Sequence, residues 1–308
     1  MADPAVLTVT PNPTIDVGLT VEYLVPDHKL RAIDHRRDPG GGGVNVARVL
    51  QRFGVASQAW VAAGGPTGDE LAAFLEQEGI TPVVHRTGVA TRENLAVTDA
   101  KRAEQYRIVL PGEQVDPTGM VDAVVALAGP VDVVVLSGSL PPGAPAELYR
   151  AICDALPDTT TVVDTKGEPL ARVVEGRADV VKPSRRELAS LVEWTPADGD
   201  EIVLAARKVL DRGEVGALAI SLGGDGAVLV QRSGEITWYE PPAVDVVSTV
   251  GSGDSMVAGI TAGLVAGRPL VDAVADGVAA GAAAVLTPGT ELCRPEDVER
   301  LRPQVAVR

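Results

Sequence analysis

The sequence predicts an α/β protein with a mostly parallel central sheet, helices on both faces of that sheet, and a second, small antiparallel sheet. Val- and Ala-rich runs alternate with helical patterns along most of the 308 residues, which is typical of strands buried in a parallel sheet. Segments 17–37 and 93–110 instead alternate apolar and polar positions, as strands exposed on one face do. We therefore expect one three-layer α/β/α domain over residues 1–308, with the small sheet inserted as a lid.

Buried strands are predicted where short apolar runs end in polar or turn residues. They are Ala5–Thr10, Gln58–Ala63, Val131–Ser137, Thr160–Asp164, Asp179–Lys182 and Ala217–Ser221. Asp164, Lys182 and Ser221 thus stand at strand carboxyl ends, where open α/β sheets bind ligands. A single polar residue at a strand end is also typical of a turn or a helix cap. Three such residues at successive strand ends indicate a ligand site along this edge of the sheet.

The charge balance excludes several classes of function. The chain has 42 acidic and 27 basic residues and a formal net charge of −15, so we expect no nucleic-acid partner. No apolar run reaches the roughly 20 residues of a bilayer span, and the N-terminus lacks a basic targeting region, so we expect a cytoplasmic protein without membrane contact. Cys153 and Cys293 are too few for a disulfide framework.

A run of four glycines, Gly40 to Gly43, leads directly into an apolar helical pattern that contains Asn45. Glycines let backbone amides approach a ligand, and a helix N-terminus favours hydroxyls or anions. The run has neither the dinucleotide-binding nor the P-loop spacing, which disfavours a nicotinamide oxidoreductase. A flexible turn is the alternative interpretation.

A second glycine-rich segment, Thr249–Ser255, also precedes an apolar helical run. The amides of Gly251, Ser252 and Gly253 would converge at a helix start and hold a phosphoryl group that develops negative charge. Asp254 stands at the rim of this cradle, where a carboxylate accepts the proton of an attacking hydroxyl. Spacing alone supports helix capping by Asp254 equally well.

Two further groups of residues fit an anionic substrate and a nucleotide. Lys29, Arg31, Arg92 and Arg107 fall on the predicted small-sheet segments or their edges, where arginines would grip a phosphate bidentately. Cations on edge strands are also typical of protection against aggregation. The segment from Ser221 to Ala227 leaves room for a nucleotide, although a simple hairpin turn explains it as well.

Four segments together resemble the PfkB carbohydrate kinases of the ribokinase superfamily, almost end to end and in the right order. They are Thr10–Asp16, Gly40–Arg48, Ser137–Gly143 and Thr249–Asp254. The resemblance implies a ribokinase-like fold and an ATP-dependent kinase. It also favours the catalytic interpretation of Asp254 over capping.

Within this family the chain most resembles the sugar-phosphate branch. The segments of this chain that resemble that branch are Pro11–Pro13, Thr91–Asn94, Glu104–Arg107 and Leu110–Gly112. Gly42 stands where 1-phosphofructokinases usually have a lysine, so the resemblance is greatest to minor 6-phosphofructokinases, which transfer the ATP γ-phosphate to the C1 hydroxyl of fructose 6-phosphate. Alternatives are a 1-phosphofructokinase, a tagatose-6-phosphate kinase and, from another class, a catalytically weak sugar-phosphate or nucleotide sensor, which the intact Asp254 disfavours.

The resemblance assigns a role to each matching residue. The sugar hydroxyls would be held by Asp16, Gly41, Gly42, Gly43 and Asn45. The substrate phosphate would meet Arg92, Arg107 and Ser139, with Lys29 and Arg31 nearby. Asp254 would be the base, and Gly251, Ser252 and Gly253 would form the anion hole. The ATP phosphates would meet Lys182, and the nucleotide cleft would be lined by Ser221, Gly223 and Gly226.

The metal and the assembly are implied less directly. Magnesium is expected with ATP, and Glu187 is a candidate for its water shell, although Ser184 replaces the asparagine of the family's Asn-x-x-Glu motif. A homodimer is expected because the small sheet would otherwise expose apolar residues such as Leu24, Leu95 and Ile108.

Overall fold

The computed structural model describes residues 4–288 and 291–308. The strands are β1 (Val6–Thr10), β2 (Thr14–Val21), β3 (Ala32–Gly40), β4 (Ser57–Ala63), β5 (Thr81–Arg86), β6 (Arg92–Asp99), β7 (Glu104–Val109), β8 (Val133–Ser137), β9 (Thr160–Asp164), β10 (Arg177–Val181), β11 (Glu214–Ser221), β12 (Ala227–Gln231), β13 (Ile236–Glu240) and β14 (Ala306–Val307). The helices are α1 (Gly42–Arg52), α2 (Gly65–Gln77), α3 (Met120–Ala128), α4 (Leu148–Asp154), α5 (Glu168–Val174), α6 (Arg185–Val192), α7 (Gly199–Leu210), α8 (Ser252–Val265), α9 (Leu270–Ala284) and α10 (Pro295–Leu301).

The large sheet has ten strands in the order β14-β13-β12-β11-β10-β9-β8-β1-β4-β5. Every neighbouring pair from β11 to β5 is parallel, whereas β12, β13 and β14 add an antiparallel edge. Helices α3 to α7 pack on one face, and α1, α8 and α9 on the other. The predicted α/β/α layers and mostly parallel sheet are therefore confirmed.

Helices α8 and α9 pack closely because small residues face each other between them. A Cβ atom added to Gly259 or Gly263 of α8 would come within 2.8 Å of α9, at Gly277 or Ala273 respectively. Close-packed interiors leave little freedom for rigid-body shifts. Helix α8, whose start carries the second glycine-rich segment, is therefore held firmly against α9.

The small sheet has the strand order β3-β2-β6-β7. Its two outer pairs are antiparallel, as predicted, but the central pair β2–β6 is parallel. The parallel pairing arises because β2 follows β1 and β6 follows β5, so both leave the same carboxyl edge of the large sheet. The strands also extend beyond the predicted segments, to Thr14, Gly40 and Arg92.

The helices are short relative to a lipid bilayer. Helix α9 has 15 residues, whereas a membrane span needs about 20. Within residues 4–288 and 291–308, none of the helices has the length and apolar character of a transmembrane span.

Candidate active site

A cavity of about 810 Å³ lies between the small sheet and the carboxyl edge of the large sheet. It brings together many of the sequence-predicted residues from well-separated segments. Those that line it are Asp16, Gly41, Gly42, Asn45, Arg92, Arg107, Ser139, Glu187 and Asp254. Most of the predicted sugar-phosphate residues therefore share one cavity with the predicted base, whereas Gly43, Lys29 and Arg31 do not line it.

Strand register explains why the small sheet presents polar side chains to this cavity. Asp16 of β2 pairs with Asn94 of β6, and Arg107 of β7 pairs with Ala96 of β6. Because side chains alternate between the two faces of a strand, Arg92, Asn94 and Ala96 share one face. Asp16 and Arg107 lie opposite members of this set and so line the same cavity.

Asp16 is fixed in orientation by a neighbouring amide. The Nδ2 atom of Asn94 donates a hydrogen bond to Oδ1 of Asp16 over 3.0 Å. Burial raises the pKa of Asp16, an effect that the Asn94 bond and the nearby charge of Arg92 oppose. A carboxylate held in this way can accept a hydrogen bond from a sugar hydroxyl that points in one particular direction.

The four-glycine run is dictated by close packing as well as by ligand access. Gly41, at the start of α1, has φ of 112°, a left-handed conformation that favours glycine. A Cβ at Gly42 would collide with Oγ of Ser137, and one at Gly43 would lie 2.5 Å from Oγ1 of Thr10. A lysine at position 42 would therefore require Ser137 to move.

Arg92, which lines the same cavity, offers hydrogen-bond donors to an anion. Its Nη2 donates to the carbonyl oxygen of Asn12 over 3.2 Å, and its buried Nε has no partner within the described residues. Asn12 also donates to Oγ of Ser139 over 3.1 Å. Lys29 and Arg31 are exposed in the segment before β3 and do not line this cavity, so their phosphate role stays a prediction.

Asp254 is the third residue of α8, directly after the left-handed turn at Gly251, whose φ is 74°. Amides in the first turn of a helix have no intrahelical acceptor, and they point towards an approaching anion. The Nδ2 atom of Asn45 donates to Oδ2 of Asp254 over 2.8 Å. Burial and the negative charge of Asp164 raise the pKa of Asp254 to about 7, while the Asn45 bond opposes the rise. Such a pKa suits a general base near neutral pH.

Lys182 lies beneath the same helix start. Its Nζ is 3.2 Å from Oδ1 of Asp164, and the residue is only 4% exposed. A Cβ at Gly253 would lie 3.6 Å from this Nζ. Burial lowers the pKa of Lys182, but the surrounding carboxylates, led by Asp164, outweigh this and raise it. The ammonium group therefore stays charged next to the predicted anion hole.

A second cavity, of about 580 Å³, lies on the other side of the α8 start. Its polar rim includes the predicted nucleotide residues Ser221, Gly223 and Gly226 together with Ser252 and Gly253. Its apolar wall is formed by Met256, Val278, Ala282 and Val285, among others. Apolar walls with a few polar groups are typical of sites for flat organic rings. Consecutive residues at the start of α8 therefore line both cavities, Gly253 the second and Asp254 the first.

Ser184 and Glu187 form a capping box at the start of α6. Oγ of Ser184 accepts a hydrogen bond from the Glu187 amide over 3.2 Å, and Oε2 of Glu187 accepts one from the Ser184 amide over 2.7 Å. Serine thus takes over the cap at the position where the family often has asparagine. One Glu187 carboxylate oxygen is engaged in this way, and the carboxylate as a whole still lines the first cavity.

Two carboxylates of the first cavity suit the magnesium ion that the family resemblance implies. Within the described residues there is no cluster of three or more side chains able to hold a metal alone. Asp164 and Glu187 nevertheless both line the first cavity. Magnesium commonly keeps several waters and binds one or two carboxylates plus substrate phosphates, so this donor set is suitable.

Three residues that were given no specific role from the sequence contact predicted site residues. They are Asn12, which bonds Ser139, Asn94, which bonds Asp16, and Asp164, which pairs with Lys182. Signals for two of them were present in the sequence. Asn94 follows Arg92 by two residues on a strand, and Asp164 ends a buried strand at the ligand-binding edge.

Comparison with known proteins agrees with this geometry. Residues 12–297 match the pfkB family of carbohydrate kinases. The chain is 39% identical to the ATP-dependent 6-phosphofructokinase isozyme 2 of Mycobacterium tuberculosis H37Rv, covering 96% of this chain and 88% of that one. It is 34% identical to the 1-phosphofructokinase of Xanthomonas campestris, covering 83% of both chains.

Among solved structures, the fold matches phosphofructokinase-2 from Escherichia coli in complex with fructose-6-phosphate. The TM-score is 0.88 at 31% sequence identity, and the match covers 98% of this chain and 99% of that chain. The match extends over both sheets because it spans nearly the whole length. The chain belongs to the pfkB family of carbohydrate kinases.

Proposed function

We propose that this protein is an ATP-dependent 6-phosphofructokinase that phosphorylates the C1 hydroxyl of fructose 6-phosphate, with Asp254 as the general base. The observation that carries the proposal is that adjacent residues of one helix start line two cavities. Asp254 lines the first cavity, and its neighbours Ser252 and Gly253 line the second. An acceptor hydroxyl and a phosphoryl donor can therefore approach each other from opposite sides of this point.

The chemistry follows from these positions. The sugar hydroxyl gives its proton to Asp254, which Asn45 orients, while its oxygen forms a bond to the γ-phosphorus. The bond from that phosphorus to the bridging oxygen breaks, and the electron pair leaves with ADP. The amides of Gly251, Ser252 and Gly253 and the Lys182 ammonium stabilise the negative charge on the transferring group.

We assign the metal to the nucleotide side of the first cavity, where Asp164 and Glu187 would hold it through oxygen atoms or water. Magnesium supplies charge neutralisation across the phosphate oxygens when it is bound. Both carboxylates are anchored by other contacts, Asp164 by Lys182 and Glu187 by the Ser184 amide. Their orientation is thus set before the nucleotide arrives.

Fructose 6-phosphate is favoured over fructose 1-phosphate because position 42 is a glycine packed against Ser137. Arg92, Arg107 and Ser139, which line the same cavity as Asp254, would bind the 6-phosphate. Fructose 1-phosphate is the second candidate, because a 1-phosphofructokinase is among the relatives at 34% identity. The third candidate substrate is tagatose 6-phosphate, which differs from fructose 6-phosphate only in hydroxyl stereochemistry.

The test is ADP release from magnesium-ATP with each of these three sugar phosphates and with unphosphorylated fructose. We expect the largest kcat/KM with fructose 6-phosphate, since fructose 1-phosphate has no free C1 hydroxyl for Asp254 and unphosphorylated fructose has no phosphate for the arginines. A larger kcat/KM with tagatose 6-phosphate would show that the site selects the other C4 hydroxyl configuration. Preference for another sugar phosphate would overturn the assignment of the substrate. ATP binding without turnover on any of them would favour a sensor.

The pH dependence should report on Asp254. Because the base must be deprotonated to accept a proton, kcat/KM should rise with pH and level off above a pKa of about 7. Asn45→Ala removes the hydrogen bond that lowers this pKa, so its midpoint should shift to higher pH. The phosphate of the sugar also titrates, but its pKa is the same in assays of the wild type and of Asn45→Ala, so it does not contribute to the difference between their midpoints. An identical midpoint in the variant would contradict this role of Asp254.

We also propose that the chain folds as one kinase domain and pairs with a second copy through the small sheet. Exposed large hydrophobic side chains cluster there: among the described residues, seven of eleven lie in or beside it, namely Tyr23, Leu30, Ile33, Tyr106, Ile108, Val109 and Leu110. Ile108 is 48% exposed, as the sequence pattern indicates, whereas Leu24 and Leu95 are partly buried.

Light scattering should give the mass of a dimer for the wild type, and Ile108→Asp should shift the measured mass towards that of a monomer. A wild-type monomer would refute the pairing.

A further inference from the structure

Arg52, the last residue of α1, contacts a segment that is far away in sequence. Its Nη1 donates hydrogen bonds to the carbonyl oxygens of Leu292, over 2.8 Å, and Cys293, over 3.1 Å. Both residues are buried, at 1% and 0% exposure, and both lie outside helices and strands. A buried carbonyl that lacks a hydrogen-bond donor is destabilising. The guanidinium therefore stabilises this segment by donating to both carbonyls.

The clamped segment lies directly against the predicted anion hole. A Cβ at Gly251 would be only 2.8 Å from Cδ2 of Leu292. Leu292 therefore fills the space beside the left-handed turn, where φ is 74°, that begins α8. Movement of Leu292 would leave that turn without packing on this side.

Helix α1 also reaches the start of α8 from its other end. Its first turns supply Gly42, which lines the sugar cavity, and Asn45, which bonds Asp254. One helix thus contacts the same turn twice, directly through Asn45 and indirectly through Arg52 and Leu292. A basic residue in the last turn is favourable to any helix through the helix dipole. Here, however, the guanidinium bonds carbonyls of another segment instead of those of α1.

We propose that Arg52 is a positioning residue for phosphoryl transfer: by holding the backbone at Leu292 and Cys293, it keeps the amides after Gly251 aimed at the transferring phosphate. The proposal rests on the function proposed above. It assigns no contact between Arg52 and either substrate. Its effect is therefore expected on turnover and nucleotide binding, not on sugar affinity.

The test compares Arg52→Met, Arg52→Lys and Arg232→Met with the wild type. Arg232 is a matched control, because its Nε also donates to a backbone carbonyl, that of Val215, over 2.8 Å, but near the amino end of β11 and away from the site. For Arg52→Met we expect kcat to fall about tenfold, with the KM for fructose 6-phosphate within about twofold. Lysine keeps a cationic donor, so Arg52→Lys should recover most of the rate.

Calorimetry with magnesium-ATP in the absence of sugar gives a second readout that does not depend on turnover. Arg52→Met should weaken nucleotide binding by about tenfold, or 1.4 kcal/mol, whereas Arg232→Met should leave it unchanged. A lower melting temperature with unchanged kcat and unchanged ATP affinity would overturn the proposal and leave Arg52 a purely structural residue. A wild type that binds ATP without phosphorylating any sugar would refute the proposed function, while the binding comparison would still decide the role of Arg52.

Discussion

Asp254→Asn should lower kcat about a thousandfold while leaving the KM values for both substrates within about twofold. The amide has nearly the same shape as the carboxylate but cannot take the proton of the sugar hydroxyl. Steady-state kinetics on the purified variant measures both parameters. An unchanged kcat would remove Asp254 from the mechanism and restore helix capping as its role.

Loss of folding cannot explain such a result, because this substitution should not destabilise the protein at neutral or higher pH. Burial raises the pKa of Asp254 from 3.8 to about 7, so the folded state holds the proton more tightly than the unfolded chain. The free energy of unfolding of the wild type therefore falls as the pH rises from 3.8 to about 7 and stays low above that. An asparagine side chain does not titrate in this range, so the free energy of unfolding of Asp254→Asn does not fall in this way. Thermal melts at pH 8 should show a melting temperature no lower than that of the wild type.

Arg92→Met should raise the KM for fructose 6-phosphate about a hundredfold, because a hydrogen bond between charged partners contributes about 1.5–3 kcal/mol and a hundredfold change corresponds to about 2.7 kcal/mol. The KM for ATP should not change, since the nucleotide cavity lies on the other side of Asp254. Kinetics with each substrate varied in turn separates the two effects.

Two controls make the Arg92 result specific. Arg86→Met removes an exposed arginine that does not line the first cavity, and it should leave every constant unchanged. Turnover of unphosphorylated fructose, which has no phosphate for Arg92 to bind, should be equally low in the wild type and in Arg92→Met. An unaltered KM for fructose 6-phosphate in Arg92→Met would place the phosphate elsewhere in the cavity.

Much of the fold could be predicted because buried parallel strands have a clear signature. Strand Thr160–Asp164 has the predicted bounds, and the remaining predicted strands differ only at their ends. The direction of pairing in the small sheet could not be predicted, because alternation shows which face a residue occupies but not which strand lies beside it. The parallel β2–β6 pair depends on where two separate strands leave the large sheet.

The site was predicted better as a set of residues than as a set of contacts. Family motifs place Asp16, Asn45 and Asp254 in one cavity, which the structure brings together. The bond from Asn45 to Asp254 joins residues 209 positions apart, and no local pattern contains it. The same is true of the Arg52 contact with Leu292, across 240 positions. Long-range geometry of this kind follows from the packing of α1 against α8 and not from either segment alone.

The central claim is that Asp254 and the adjacent helix start direct the γ-phosphate of ATP to the C1 hydroxyl of fructose 6-phosphate. Phosphorus NMR of the reaction mixture tests it most directly, since it shows where the phosphate goes. The account predicts one new phosphate ester on C1 for each ADP formed, and about a thousandfold slower formation of this ester in Asp254→Asn. ADP formed together with inorganic phosphate and no new ester, or an ester at another carbon, would contradict it.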